Sequence, residues 1–182
     1  MNRILATLAA LLFSVSAFAL TPAQTATLKA ALLAEPGIAS CVTAGDDQCV
    51  ADFANAPTAF VVWRTSVSED EYTGDASSEA SNWSWPAYIA RSVGERDGWA
   101  RMFRGGSINP GKANIRQGIA DIFSGTANNA AGQRAHLLAI SKRAATWAES
   151  KLSSGTGTNA TPAVLGWEGT ISPGEAGSIL RN

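Results

Sequence analysis

Apolar positions along this chain recur mostly at helical intervals, and only two short runs break that rhythm. Leu28, Ala31 and Leu32 share one face of a helix that begins at Thr21-Pro22-Ala23-Gln24. Thr21 caps it, Pro22 suits its first turn, and Gln24 completes a capping box. Pro36-Gly37 stops it. A second helix is expected over Asp47 to Asn55, with Val50 and Phe53 as apolar contacts and Ala56-Pro57 as its end. Phe60-Val61-Val62-Trp63 is β-branched and aromatic, which predicts a short strand or buried extended segment. Ser66 to Asn82 is rich in Ser, Glu, Asp and Gly and reads as an exposed loop.

Ser84-Trp85-Pro86 opens a further helix running to about Phe103, with Tyr88, Ile89, Val93, Trp99 and Phe103 as candidates for burial. Gly94 and Gly98 weaken it and mark where it can break. Asn109-Pro110 begins the next helix, where Ile115, Ile119, Ile122 and Phe123 form a stripe that Gly125 ends. Ala135, Leu138, Ala145, Ala148 and Leu152 predict the longest helix over Ala130 to Ser153. Gly155-Thr-Gly-Thr reads as a flexible connection, and Ala163 to Trp167 as a strand. Ser172-Pro173-Gly174-Glu175 repeats the capping-box pattern before a short terminal helix. The expected fold is mainly α: a single compact helical domain over residues 20–182 with a small β element. Its core should include Leu28, Leu32, Trp63, Ile119, Phe123, Leu138 and Trp167.

Residues 1–19 stand apart from that domain. Arg3 gives a short positive region, Ile4 to Val15 an apolar run, and Ala17-Phe18-Ala19 a small-x-small cleavage pattern. This is the pattern of a signal peptide, with the mature chain beginning at Leu20. The run is too short for a comfortable membrane-spanning helix, so no stable membrane insertion is expected. Cys41 and Cys49 are the only cysteines. One continuous helix would hold them about 12 Å apart, too far for a bridge. A turn at Gly45-Asp46-Asp47 would fold them together, and an exported chain could then form a disulfide. Two buried free thiols are the alternative for a chain that stays in the cytoplasm.

Composition changes this picture little. The chain has 182 residues, 46% hydrophobic, with a formal net charge of −1, so it can bury a core and offers no basic face for nucleic acid. His136 is the only histidine, and no cysteine pair has zinc spacing, so no metal or cofactor is expected. There is no nucleophile elbow, and Gly155 and Gly157 lack the lysine of a phosphate loop. Glu69-Asp70-Glu71 lies in a polar loop and reads as solvated charge, whereas a glycosidase needs two carboxylates in different environments. Glu95-Arg96-Asp97 reads as a surface salt-bridge cluster. No catalytic residue is assigned, and the chain is not read as an enzyme.

Six tryptophans are many for this length. Core packing accounts for Trp63, Trp99, Trp147 and Trp167. Trp83 and Trp85, beside the polar loop, are the exposed pair. Aromatics are favoured at protein–protein contacts. The candidate interaction site is therefore Trp83 and Trp85 with Glu69, Asp70, Glu71 and Tyr72. Exposed tryptophans can also stack on sugar, which would suit a secreted cell-wall binder.

Several blocks carry a resemblance over most of residues 20–182. They are Val62-Trp63-Arg64-Thr65-Ser66, Ala90-Arg91-Ser92, Gly94-Glu95-Arg96-Asp97, Asn114 to Gly125 and Thr156 to Gly169. The chain resembles uncharacterised small proteins of tailed bacteriophages and prophages, encoded among virion-assembly genes. Those proteins typically begin close to Leu20, so residues 1–19 are either a true leader or a start assigned too early. The resemblance implies a virion morphogenesis or structural protein of the neck, connector or tail, assembled in the host cytoplasm. Its partners would be other virion proteins and copies of itself. The alternative is an exported or periplasmic binding protein, cleaved after Ala19, with cell-wall sugar as a ligand.

Overall fold

Helix α1, Pro22–Ala34, begins as its sequence predicts: the Thr21 hydroxyl accepts the Gln24 N–H, and the Gln24 side chain returns to the Thr21 backbone. The computed structural model describes residues 19–74 and 83–182, so most of the leader and the second half of the polar loop lie outside the described residues. Leu28 and Leu32 turn inward from α1. A 3-10 turn at Pro36–Ile38 leads to α2, Ala39–Ala44. Gly45 then takes a left-handed conformation (φ +68°) that ends α2, and Asp46 caps α3, Asp47–Asn55. The chain reverses at that point, and Cys41 and Cys49 are joined in a disulfide with their Cα atoms 5.9 Å apart. Of the two cysteine states the sequence left open, the bridged one is present.

Strand β1, Pro57–Trp63, pairs antiparallel with β4, Lys142–Thr146. The predicted helix over Ala130 to Ser153 is thereby overturned. It is α8, Ala130–Ile140, then β4, then α9, Trp147–Leu152. Two local causes explain the break. The buried Ser141 closes α8 by bonding back to the Leu137 carbonyl, and its own carbonyl accepts the Arg64 N–H. Thr146 and Glu149 then form a capping box that starts α9 afresh. Pairing along β1 outweighs the helix preference of Ala144 and Ala145. The expected phase of α8 also shifts: Leu137 and Ile140 are buried, Ala135 is exposed and Leu138 is half-buried.

The supposed loop from Ser66 is ordered over its described part. β2, Val67–Ser68, pairs with β3, Ser107–Ile108, and Ser68 caps α4, Glu69–Thr73. The predicted helix to Phe103 is split into α5, Trp85–Ile89, and α6, Val93–Met102. Ser92 caps α6 through a box with Glu95, so the break falls just before Gly94. α7, Ala113–Ile122, starts three residues after Pro110, and α10, Pro173–Arg181, starts at Ser172 as expected. Ala163 to Trp167 forms no continuous strand. Only Ala163 and Val164 make bridges, to Val62 and Ser154, before the chain turns inward at Trp167.

The result is mainly α with two two-stranded sheets among the described residues. One apolar cluster joins α1, α3, α9 and α10 through Leu28, Leu32, Val50, Trp147, Trp167 and Ile179. A second joins α4, α6, α7 and α8 through Tyr72, Trp99, Phe103, Ile119, Phe123 and Leu137. Val62, Ala145 and Ala163 form a small third cluster at the β1–β4 pair. Trp63 is not core: it is half-buried under two cations.

Candidate interaction surface

The polar segment and the tryptophan pair divide between inside and outside. Glu69 accepts the Trp99 indole N–H at 2.8 Å. Glu71 pairs with Arg64 and closes the Ser68 capping box. Burial would raise the Glu71 carboxyl, but the Ser68 N–H and the Arg64 guanidinium outweigh it and hold the group below the usual carboxylate range. Tyr72 is fully buried, and burial pushes its hydroxyl up to about 12 despite the bond to Ser141. Of these four, Asp70 is exposed, Glu69 and Glu71 are partly exposed, and Tyr72 alone is buried. This segment is a capped helix fixed to the aromatic core, so the expected loop is corrected, while its three carboxylates keep contact with solvent. Its signal was present as Ser68-x-x-Glu71.

Trp83 belongs with that core. It is half-buried, with its ring centroid 5.5 Å from Trp99, 5.6 Å from Tyr88 and 6.1 Å from Phe123. Trp85 stands at the outer end of the same cluster, edge-on to Trp83 at 5.7 Å and to Tyr88 at 5.9 Å. It is 56% exposed. Ile89, one turn on, is 62% exposed, and Val93, at the start of α6, is 76% exposed. Both were expected inside. The helix break at Ala90 to Ser92 changes the phase between α5 and α6, so one periodic stripe cannot bury them.

The backbone beneath this apolar face is firmly held. Ser84 caps α5 and donates its N–H to the buried Gln133 side chain. Arg91 donates to the Ala87 and Ser124 carbonyls, and Arg96 to the Ile89 carbonyl. Ala87 is buried beneath the helix. Trp85, Ile89 and Val93 are thus presented by a fixed support, with the aromatic cluster behind Trp85.

Away from this face, Arg143 bonds both oxygens of Glu149 at 2.7 and 2.8 Å and reaches Glu168 at 2.8 Å. Burial would raise the Glu149 carboxyl, but the Arg143 bonds and the Thr146 N–H keep it low. Thr65 donates to the second oxygen of Glu168. A cleft of about 560 Å³ lies beside Glu168, edged by Thr21, Gln24, Thr65, Asn109 and Trp167. The Glu168 carboxylate is committed at both oxygens, so it orders the cleft wall. His136 stands half-buried on α8 with its Nε2 unpartnered among the described residues. No group of three or more His, Cys, Asp or Glu side chains could hold a metal among the described residues. No described helix is long and apolar enough to cross a membrane.

No known protein family, curated protein or solved structure matches this chain.

Proposed function

We propose that the protein is a structural component of a tailed-phage or prophage virion, acting in morphogenesis by docking on a neighbouring virion protein. The observation that carries this reading is the exposure of Trp85, Ile89 and Val93 on α5 and at the start of α6, whose backbone is tied to the body by the Ser84–Gln133 and Arg96–Ile89 bonds. Large apolar side chains left in water near one another mark protein contacts when a partner covers them, and tryptophan is enriched among the residues that anchor such contacts. The resemblance in Asn114 to Gly125 and Thr156 to Gly169 supplies the virion context. The direct test is peptide mass spectrometry of purified phage particles. The chain should co-purify with them, and its absence from every particle fraction would overturn the proposal.

One observation favours a second reading, an exported binding protein. A disulfide is suited to an oxidising compartment, and the Cys41–Cys49 bridge follows a leader-like segment that ends in Ala17-Phe18-Ala19. Trp85 would then be a stacking surface for cell-wall sugar. The intact mass of the purified protein separates the two readings. Cleavage after Ala19 supports export, and a chain retaining the leader or starting at another site in the cytoplasm opposes it.

A further inference from the structure

A groove of about 420 Å³ lies between α7, the end of α8 and the first residue of β4, with Trp63, Arg116, Gln117, Leu138 and Lys142 around it. The Arg116 guanidinium sits 4.7 Å from the Trp63 ring centroid, and the Lys142 ammonium 5.5 Å from it. Both are within cation–π range. Backbone carbonyls fix both cations. Arg116 donates through Nη1 to Pro110 and Gly111 at 2.6 and 2.9 Å, and Lys142 donates to Asn159 at 2.8 Å. Neither cation forms an ion pair among the described residues. The nearest acid in sequence, Asp121, is taken up by the Gln117 amide at 2.7 Å.

We infer that this groove, lined by Arg116 and Lys142, binds an oxyanion, a phosphate ester or a carboxylate. Both cations line the groove and neither is paired with a carboxylate among the described residues, so an anion in the groove meets uncompensated positive charge. Among the described residues, Arg116 Nε and Nη2 meet no protein acceptor, and Lys142 uses one of its three N–H groups. Burial lowers the Arg116 pKa with no carboxylate to oppose it. A third donor set adjoins the pair. Ala113, the first residue of α7, lines the groove, and Lys112 gives that helix no side-chain cap. A ten-residue helix with an open N-terminus favours an anion there. The groove is larger than a bare oxyanion needs, so it takes one carried on a larger molecule. One site with two cations in a chain of net charge −1 suits a single anionic group rather than a polyanion.

The test is a titration of the purified protein with inorganic phosphate and, separately, with acetate, at constant ionic strength. The Trp63 indole N–H signal in NMR, assigned by its loss in Trp63→Phe, is the reporter. A saturable shift is expected, with Kd of ~1 mM or tighter, weakened at least ~10-fold in both Arg116→Gln and Lys142→Gln. Lys142→Gln removes a side chain bonded to one carbonyl, so it keeps the test open if Arg116→Gln misfolds. Stronger binding of phosphate assigns phosphate esters, and stronger binding of acetate assigns carboxylates. No saturable shift with either anion, or variants that bind like the parent, overturns the inference.

Discussion

The Tyr72 hydroxyl meets the Ser141 hydroxyl at 2.7 Å inside the protein, where α8 gives way to β4. Ser141 donates to the Leu137 carbonyl at 2.7 Å, so Tyr72 is the donor in the pair. The arrangement predicts an asymmetry. Tyr72→Phe removes the donor and leaves Ser141 still bonded, which costs about 1 kcal/mol. Ser141→Ala removes the acceptor and strands a buried hydroxyl, which costs up to about 3 kcal/mol. Urea unfolding of both variants checks this, and Ser141→Ala should be the more damaging although each change deletes a single hydroxyl. The alkaline limb has a defined sign. The Tyr72 pKa rises from its ordinary ~10 to about 12 in the fold. Its contribution is therefore complete below ~10 and is lost as pH rises through 12.

Arg143 joins Glu149 to Glu168 and so ties β4 and α9 to the segment before α10. Glu149→Gln leaves Arg143 one carboxylate and should destabilise by about 3 kcal/mol, the lower end for breaking a buried pair. The folded Glu149 pKa is lowered, so its contribution is present above the unfolded value of ~4.3 and is lost as pH falls through the folded one. Acid unfolding of the variant should therefore show a flatter limb below that value than the parent.

The Cys41–Cys49 bridge closes a short loop at the α2–α3 turn. Chain entropy gives such a loop roughly 2.5 kcal/mol of stabilisation. Reduction should lower stability by about that much without unfolding the protein, because Gly45 and the Asp46 cap shape the same turn. Circular dichroism with and without reductant, alongside thiol counting, measures both parts.

Gly157 is left-handed at φ +66°, and a methyl group there would run into the Phe60 ring. The Gly157 carbonyl also accepts the Val61 N–H, holding this segment against β1. Gly157→Ala combines backbone strain with overpacking and should cost about 1–3 kcal/mol. Thermal unfolding checks this, and a neutral result would show that the Gly155 to Thr158 segment can shift freely.

Local signals were the legible part of this fold. Thr21, Ser172 and the Asp47 to Asn55 helix are set by neighbours within four residues, and the sequence predicts each of them. Leu28, Leu32, Ile119, Phe123 and Trp167 are buried as expected. The misreadings arise where distant partners decide. Lys142 to Thr146 becomes a strand because β1 needs an edge to pair with, which alanine spacing does not reveal. Tyr72 is drawn out of a polar-looking stretch by Trp99 of α6 and Phe103 just after it. The proposed surface was half legible. Trp85 was expected outside, whereas Ile89 and Val93 were assigned inward on one continuous helix, and the α5–α6 break turns them out. The Ser92-x-x-Glu95 capping box was the available signal for that break.

The central claim is that the Trp85, Ile89 and Val93 face docks the protein in a virion. Its most direct measurement is particle incorporation of the double variant Trp85→Ala/Ile89→Ser, read by quantitative peptide mass spectrometry of purified particles against the parent. Both side chains are more than half exposed, so the variant should fold with unchanged circular dichroism. Loss of one aromatic anchor weakens a contact by ~2 kcal/mol, roughly 30-fold. The account predicts a folded variant left in the soluble fraction while the parent is found in particles. Equal incorporation of the folded variant and the parent would contradict it.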